Sequence, residues 1–432
     1  MKKILLIPVA LLFTIASQAQ QVNGELKTLI EKSFSYSPQI QESEEIMNAA
    51  ELRTGLVKTG YVPTLNANAT YSYMAPVAVA QIPTGPSSFQ EIRFQPNNNY
   101  NANLSLSYTV YDFGRMQANV QKSKQELALS GDNLGAQQTL LAAQISQYYY
   151  GIIYLQKSVE IEDSLINVLS ENRRMTESKV NNGDALKLDL LSIQSSLDME
   201  IMRREEMKTS LQKQLIFIEY LTGVADFSVQ NKTFDFNYNN REIPNILEAA
   251  KKQNFDFMAA NRRLEISKSD LRFNRSQFLP FLNVNAATGY KNGYMPDVNQ
   301  MRFNYMAGAG ISIPILDAVK TTQQIKITKS VIKQQEWKIQ NLENSIGRDI
   351  KLAMADVNLQ QEKLGLMEGQ LQSAKEALRI ANTRFKNGTS TYLELINAAY
   401  NLQKVQLQKV QIEYNLCLGN IELARLSGSK FY

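Results

Sequence analysis

The sequence contains no histidine and a single cysteine. The absence of histidine excludes Ser-His and Cys-His nucleophilic catalysis and removes the commonest zinc ligand. Cys417 cannot form a disulfide within one chain, and its neighbours Leu416 and Leu418 favour a buried apolar side chain over a reactive thiol. A pair of carboxylates remains as a simple catalytic option, but no pattern predicts the pocket that it requires. We therefore expect no enzyme, no metal site and no cofactor.

Long apolar runs are also absent. Beyond residue 20 no stretch reaches the roughly 18 consecutive apolar residues of a membrane helix. The 46 Lys and Arg residues nearly balance the 41 Asp and Glu residues, so nucleic acid is not an expected partner. If this protein contacts a membrane, we expect it to do so with β-strands.

The first residues have the pattern of a secretory signal. Lys2 and Lys3 precede an apolar run over 4–15, and Ser17-Gln18-Ala19 gives a cleavage site of small residues. The pattern predicts a signal peptide over residues 1–19. The apolar run is too short to span a bilayer, and no cysteine follows that would take a lipid anchor. A retained N-terminal anchor is the alternative.

The rest of the chain is an internal repeat. Two glycine turns lie 205 residues apart, and each is followed six residues later by a carboxylate. Three pairs of landmarks share this separation: Gly183 with Gly388, Asp112 with Asp317, and Gly223 with Gly428. A recurring separation predicts a duplicated structure, with repeat 1 over 20–222, a connector over 223–242, and repeat 2 over 243–432.

Each repeat contains a predicted hairpin of two strands, over 63–111 and 280–315. Apolar and polar residues alternate for about ten residues, which is the length of a tilted transmembrane strand. Pro63 and Pro280 precede the first strand of each hairpin, and the prolines of 74–98 predict an irregular loop there. The tyrosines of the apolar faces fit either an interfacial girdle or ordinary strand packing: Tyr71, Tyr73, Tyr100, Tyr108, Tyr290 and Tyr305. The same alternation also fits a soluble sheet over a core.

Long helical patterns flank both glycine turns. We predict helices over 114–180 and 186–221 in repeat 1, and the first would be roughly 100 Å long at 1.5 Å per residue. Shorter helices precede the strands, over 26–58 and 243–275, and Ser37-Pro38 interrupts the first of them early. Apolar residues at steps of three and four in the long helix of repeat 2 indicate coiled-coil packing.

Four predicted strands cannot close a barrel within one chain. In lipid an open sheet edge leaves backbone groups without hydrogen-bond partners, and single-chain barrels begin at about eight strands. If these strands span a membrane, several copies of the chain must share one barrel.

The sequence resembles the TolC-type outer-membrane efflux proteins over essentially its whole length after the predicted signal. The segments that carry the resemblance are Tyr-Asp-Phe-Gly-Arg at 111–115, Pro-Ile-Leu-Asp-Ala-Val-Lys at 314–320, and Asn387-Gly388 followed by Tyr-Leu-Glu-Leu-Ile-Asn-Ala at 392–398. The resemblance implies a mixed α/β membrane protein, a homotrimer whose chains each give four strands to a twelve-stranded β-barrel continued by a long α-helical coiled-coil tunnel. It also implies a passive exit duct in outer-membrane lipid, served by a periplasmic adaptor (membrane fusion) protein and an inner-membrane pump.

The resemblance places a periplasmic gate in the helix after each turn, at Glu394 and at its repeat equivalent Asp189. Many relatives carry a second acid one turn further on, where this chain has Asn397 and Ser192. A weakly charged constriction is therefore expected. The alternative is that both acids simply stabilise helix N-termini.

Two further groups of residues have predicted roles. The turn residues are predicted hairpin tips that dock the adaptor: Gly183, Gly388, Asn182 and Asn387. The residues at the strand-helix junctions are predicted to cap helices or end them: Asp112, Asp317, Pro63 and Pro280.

Two questions stay open at the level of sequence. A secreted coiled-coil structural or adhesion protein with a soluble β-layer is the rival function. Drug, metal and protein cargoes are not distinguished, because the 14 methionines are scattered and favour core packing over a soft-metal site.

Overall fold

A computed structural model describes the protein over residues 23–86, 88–239, 242–315 and 318–432. The predicted signal peptide and Asp317 lie outside these ranges. The chain divides into two compact units, and each takes segments from both predicted repeats. The helical unit comprises residues up to Glu42, Asn133–Met258 and Leu342–Tyr432, and the sheet unit comprises Ser43–Asp132 and Ala259–Asn341. The repeat boundaries remain a prediction.

The sheet unit holds every strand of the described residues. The strands are β1 (Thr64–Tyr73), β2 (Val79–Gly85), β3 (Ser88–Arg93), β4 (Asn98–Tyr111), β5 (Phe281–Lys291) and β6 (Arg302–Ser312). Four of them form one antiparallel sheet in the order β1-β4-β5-β6. The two hairpins therefore join through β4 and β5. Within the chain, the outer edges of β1 and β6 have no neighbouring strand among the described residues.

The two faces of this sheet differ in chemistry. On the apolar face, the rings of the register partners Tyr71 and Tyr100 are 5.2 Å apart, and large side chains such as Leu104 are exposed, up to 81% for Tyr305. On the other face Asn68 donates from Nδ2 to Ser105 Oγ at 3.0 Å. In a soluble sandwich the apolar face would be the buried one.

Residues 74–98 are not wholly irregular, as their prolines predicted. They contain the hairpin of β2 and β3. Pro83 lies at a register shift between Pro83 and Gly85, the kind of irregularity at which a strand accommodates proline.

The second hairpin was predicted over 280–315, and this prediction ends too late. β6 stops at Ser312, so Ile313 and Ile315 lie beyond it. Pro314 between them has no N–H to donate to a ladder.

The helices are α1 (Gly24–Tyr36), α2 (Pro38–Lys58), α3 (Arg115–Asn181), α4 (Lys187–Thr222), α5 (Ile243–Gln253), α6 (Phe255–Ser276), α7 (Ala318–Lys386) and α8 (Tyr392–Ser427). The predicted helix over 26–58 is divided by Pro38, which forces Ser37 into an extended conformation. The helix over 243–275 is divided as well, at Asn254. Its side-chain Oδ1 accepts a hydrogen bond from the Asp256 N–H at 2.9 Å and so begins a new helix.

The core of the helical unit is aromatic at its centre. Tyr149 and Tyr150 of α3 are fully buried, and the Tyr150 hydroxyl donates to Asp235 Oδ1 at 2.8 Å. The predicted connector has no regular secondary structure in its described part, but Phe236 packs into this core. Cys417 is 2% exposed, which confirms a buried side chain. No helix of the described residues is long and apolar enough to cross a bilayer.

Candidate functional site: the two glycine turns

The turn between α3 and α4 has the geometry of a left-handed helix end. Gly183 has a φ of +84°, which favours glycine because it has no side chain to clash. Its N–H donates to the Val180 carbonyl at 3.1 Å, and the Asp184 N–H donates to the Lys179 carbonyl at 2.8 Å. This is a Schellman-type ending, which satisfies carbonyls that the helix leaves free.

The turn between α7 and α8 repeats this geometry bond for bond. Gly388 has a φ of +72° and donates to the Phe385 carbonyl at 3.1 Å, while the Thr389 N–H donates to the Arg384 carbonyl at 2.9 Å. Asn182 and Asn387, the residues before the glycines, are both exposed. Both turns are therefore exposed helical hairpin tips.

The acid of the first turn stabilises its own helix. Asp189 lies in the first turn of α4, and its Oδ2 accepts a hydrogen bond from the Leu186 N–H at 3.3 Å. Leu186 precedes the helix and has no side-chain acceptor to offer, so Asp189 is the local side chain that satisfies this end.

The acid of the second turn has a different partner. Thr391 precedes α8, and its Oγ1 accepts from the Glu394 N–H at 3.4 Å. The Glu394 carboxylate is therefore not needed as a cap, and it lies 3.9 Å from Arg384. Both groups are more than half exposed, so the attraction between them is weak.

One turn further into each helix, Ser192 and Asn397 are exposed. Leu188 and Leu393, which directly precede the two acids, are exposed as well. Tyr392 beside them is half-buried, and burial raises its pKa to about 12, so it is neutral at pH 7. The chain thus presents apolar and uncharged groups next to its two acids.

Sequence reasoning missed the basic residues of these tips. Arg384 pairs with Glu394, and the Lys179 ammonium lies 4.6 Å from the centre of the buried Phe385 ring, which brings the ends of α3 and α7 together. Lys179 and Arg384 occupy equivalent positions at the 205-residue separation. Their position in the last turn of each long helix could have identified them, because a cation there interacts favourably with the helix dipole.

Asp112 holds the junction between β4 and α3. Its Oδ2 accepts from the Met116 N–H at 2.6 Å, and its Oδ1 accepts from the Gly114 N–H at 3.1 Å. Arg115 lies over the ring of Phe281 in β5 and donates to the carbonyl of Ser276, the last residue of α6, at 3.2 Å. Pro63 and Pro280 directly precede β1 and β5. Asp112 therefore acts as a helix cap.

Within the described ranges, no group of three or more acidic or cysteine side chains is placed to hold a metal ion. The candidate functional features are therefore the two exposed hairpin tips, which the 205-residue repeat relates to each other, and the sheet with its exposed apolar face.

A family model described as "Outer membrane efflux protein" matches residues 29–224 and 246–429. The chain belongs to this family. The resemblance noted in the sequence is confirmed. As a member of this family, the protein is located in the outer membrane.

Two curated relatives illustrate the family. The chain is 18% identical to the outer membrane protein TolC of Escherichia coli (strain K12), with 99% of this chain and 87% of the relative covered. It is 20% identical to the alkaline protease secretion protein AprF of Pseudomonas aeruginosa, with 87% and 79% covered.

A solved structure shows the same fold. The Neisseria gonorrhoeae MtrE outer membrane channel, in its open state, superposes with a TM-score of 0.75 at 16% identity, over 94% of this chain and 90% of that one. The predicted fold class is confirmed. Membership of this family does not favour the rival interpretation, a secreted structural or adhesion protein.

Proposed function

We propose that this protein is the outer-membrane exit duct of a tripartite efflux or secretion system. It conducts substrates passively, as a homotrimer, after an inner-membrane pump and a periplasmic adaptor (membrane fusion) protein have delivered them. It carries out no reaction and needs no cofactor. Membership of the outer membrane efflux protein family supports the role, and the two hairpin tips are the proposed site of adaptor docking.

The observation that carries this proposal is the four-stranded sheet. Its apolar face is exposed, as Tyr71, Leu104 and Tyr305 show, so lipid rather than a protein core is the partner that this face requires. No strand of the described residues pairs with the outer edges of β1 and β6, and lipid cannot satisfy the backbone groups of such edges. Pairing of β6 with β1 of another copy removes both edges, and three copies supply twelve strands.

We further propose that the acidic residues after the turns line the periplasmic constriction. Arg384 lies within 4 Å of Glu394 and offsets part of its charge, and the exposed Asn397 and Ser192 add none. Closure of such a mouth depends more on helix packing than on a ring of acids. Conductance should therefore change only modestly when Glu394 is neutralised.

The test is conductance and oligomeric state. Protein purified in detergent should have the mass of three chains, remain in membranes after a carbonate wash and open channels in planar bilayers. Glu394→Ala should change the conductance measurably but by less than tenfold, and it should change how the conductance varies with pH. Glu376→Ala removes an exposed acid of α7 that is paired with Arg379, and it should alter neither.

A monomer that leaves membranes on washing and conducts nothing would contradict the duct. An intact, conducting trimer in which Glu394→Ala behaves as Glu376→Ala would contradict only the role of Glu394 in the constriction.

A further inference from the structure

Two glutamates are buried against each other between helices of the helical unit. Glu162 of α3 is fully buried, Glu200 of α4 is 4% exposed, and their carboxyl groups lie within hydrogen-bonding reach of each other. Gln403 of α8 donates from Nε2 to Glu162 Oε2 at 2.7 Å. Three helices therefore meet at these side chains, which we call the carboxyl joint.

The joint has more negative charge than its surroundings offset. The charged and titratable groups that face Glu162 are Glu200 and Arg203 on α4 and Tyr400 on α8. The Arg203 guanidinium lies 3.9 Å from Glu200 Oε2, and half of its side chain is exposed. One partly solvated cation thus faces two buried carboxyl groups.

Two oxygen atoms of the joint lack a donor. Glu162 Oε1 and Glu200 Oε2 are buried and accept no hydrogen bond from the described residues. Ionised carboxylates are acceptors only, whereas one proton turns one of the two groups into an O–H donor to the other. Burial, together with the neighbouring Glu200, raises the pKa of Glu162 to about 7. A proton is thus the missing partner.

The second repeat shows what a plain packing solution looks like. At the 205-residue separation, Glu162 corresponds to Met367 and Glu200 corresponds to Val405. These two residues lie in one apolar cluster with Leu371 and Ile412. The fold accepts apolar side chains at both positions, so the carboxyl groups of repeat 1 are not required for packing.

We propose that Glu162 and Glu200 share one proton and form a pH-sensitive joint, which holds α3 and α4 against α8 when protonated and loosens when the proton leaves. The joint lies roughly 20 Å along α4 from the Gly183 turn, at 1.5 Å per residue. It borders the cluster of Leu165, Leu197 and Ile396, so loosening would reach the helices behind the hairpin tips.

The direction of the effect follows from proton binding. In a locally opened state Glu162 is solvated and titrates at its ordinary pKa of 4.5, while in the closed state its pKa is about 7. The closed state binds more protons between these two values, so the population of the open state rises up to about tenfold per pH unit in that window. Above the higher value it levels off.

Amide hydrogen exchange of the full chain in detergent measures this opening. After correction for the pH dependence of exchange in unstructured peptides, the opening constant of amides near Glu162, Glu200 and Gln403 should rise more than tenfold from pH 5 to pH 7 and then level off. Glu162→Gln should remove this rise. Glu206→Gln changes an exposed acid of the same α4 and should retain it.

A double variant tests the proposal even if Glu162→Gln fails to fold. Glu162→Met with Glu200→Val installs the residue pair of repeat 2 and should fold with exchange that no longer depends on pH in this region. Infrared spectra should show a protonated carboxyl band at pH 6 that disappears above pH 8 and is absent in the double variant.

Equal pH dependence of exchange in the native protein and the double variant would overturn the proposal. So would the absence of the protonated carboxyl band at pH 6. Because neither measurement involves conduction, the result is independent of the duct function.

Discussion

Gly289 of β5 lies against β4 with no room for a side chain. It lies opposite Asn103 of β4. A Cβ added at Gly289 would lie 2.6 Å from the Asn103 Cα and still closer to the Ala102 carbonyl oxygen, whereas real Cβ contacts essentially never fall below 3.0 Å. Both of these atoms belong to the backbone, so no side-chain rotation relieves the overlap. Gly289→Ala must move the strands apart.

The size of the effect combines two contributions. Forcing an extra carbon into a packed site costs about 1–3 kcal/mol, and each ladder hydrogen bond that weakens costs up to about 1 kcal/mol. We expect Gly289→Ala to lower the free energy of unfolding by about 3 kcal/mol, which is roughly a hundredfold in the folding equilibrium.

Gly308 of β6 is the matched control. A Cβ at this position meets no atom of the described chain within 4 Å. Since alanine loses less conformational freedom on folding than glycine, Gly308→Ala should be neutral or stabilise the protein by up to about 1 kcal/mol.

Urea titration in detergent, followed by far-ultraviolet circular dichroism, measures both variants. Replacing Asn103 with glycine in the Gly289→Ala background removes a third overlap, with the Asn103 Cβ at 2.8 Å. It should restore only part of the loss, because the Asn103 Cα and the Ala102 carbonyl remain in place. Unfolding of Gly289→Ala and Gly308→Ala at the same urea concentration would refute the reasoning.

Two other predictions test single features. Gly388→Ala should destabilise the second turn by about 1 kcal/mol, because a φ of +72° is strained for alanine and the added Cβ contacts no atom of the described residues within 4 Å. Gly369→Ala, inside α7, should stabilise the protein by about as much. Local hydrogen exchange measures both variants, and equal effects would refute the left-handed turn. Burial raises the pKa of the Cys417 thiol, so a maleimide should label it only after denaturation, and labelling of the native protein at the rate of a free thiol would contradict the buried position.

Most helices and strands of this protein are predictable because their patterns are periodic. Alternation over about ten residues located β1, β4, β5 and β6, and glycine marked the ends of α3 and α7. The β2–β3 hairpin was missed because Pro83 reads as a loop signal until its place at a register shift is known. The start of α6 was missed because Asn254 caps a helix only when its side chain turns back to the Asp256 N–H.

The candidate site was predictable in part. Glycine and the following acid identified both hairpin tips, but the partners of Asp189 and Glu394 depend on Leu186 and Arg384, which the spacing of the acids does not reveal. The carboxyl joint was hidden for another reason. Glu162 follows Glu160 and precedes Asp163, a run that resembles a solvated surface. In the sequence, the burial of Glu162 was indicated only by its repeat equivalent, the apolar Met367 at the 205-residue separation.

Duplication explains how such a joint can arise without loss of the fold. Each seam position occurs twice per chain, so an apolar pair such as Met367 and Val405 maintains packing in one repeat while its equivalent pair is free to change. Each chain therefore carries one titratable joint and one apolar pair at equivalent positions. Deprotonation would then loosen the joint and leave Met367 and Val405 packed, because the apolar pair carries no proton to lose. A pH response confined to the helices around Glu162, Glu200 and Gln403, and absent around Met367 and Val405, is the consequence that separates a joint of this kind from general destabilisation at high pH.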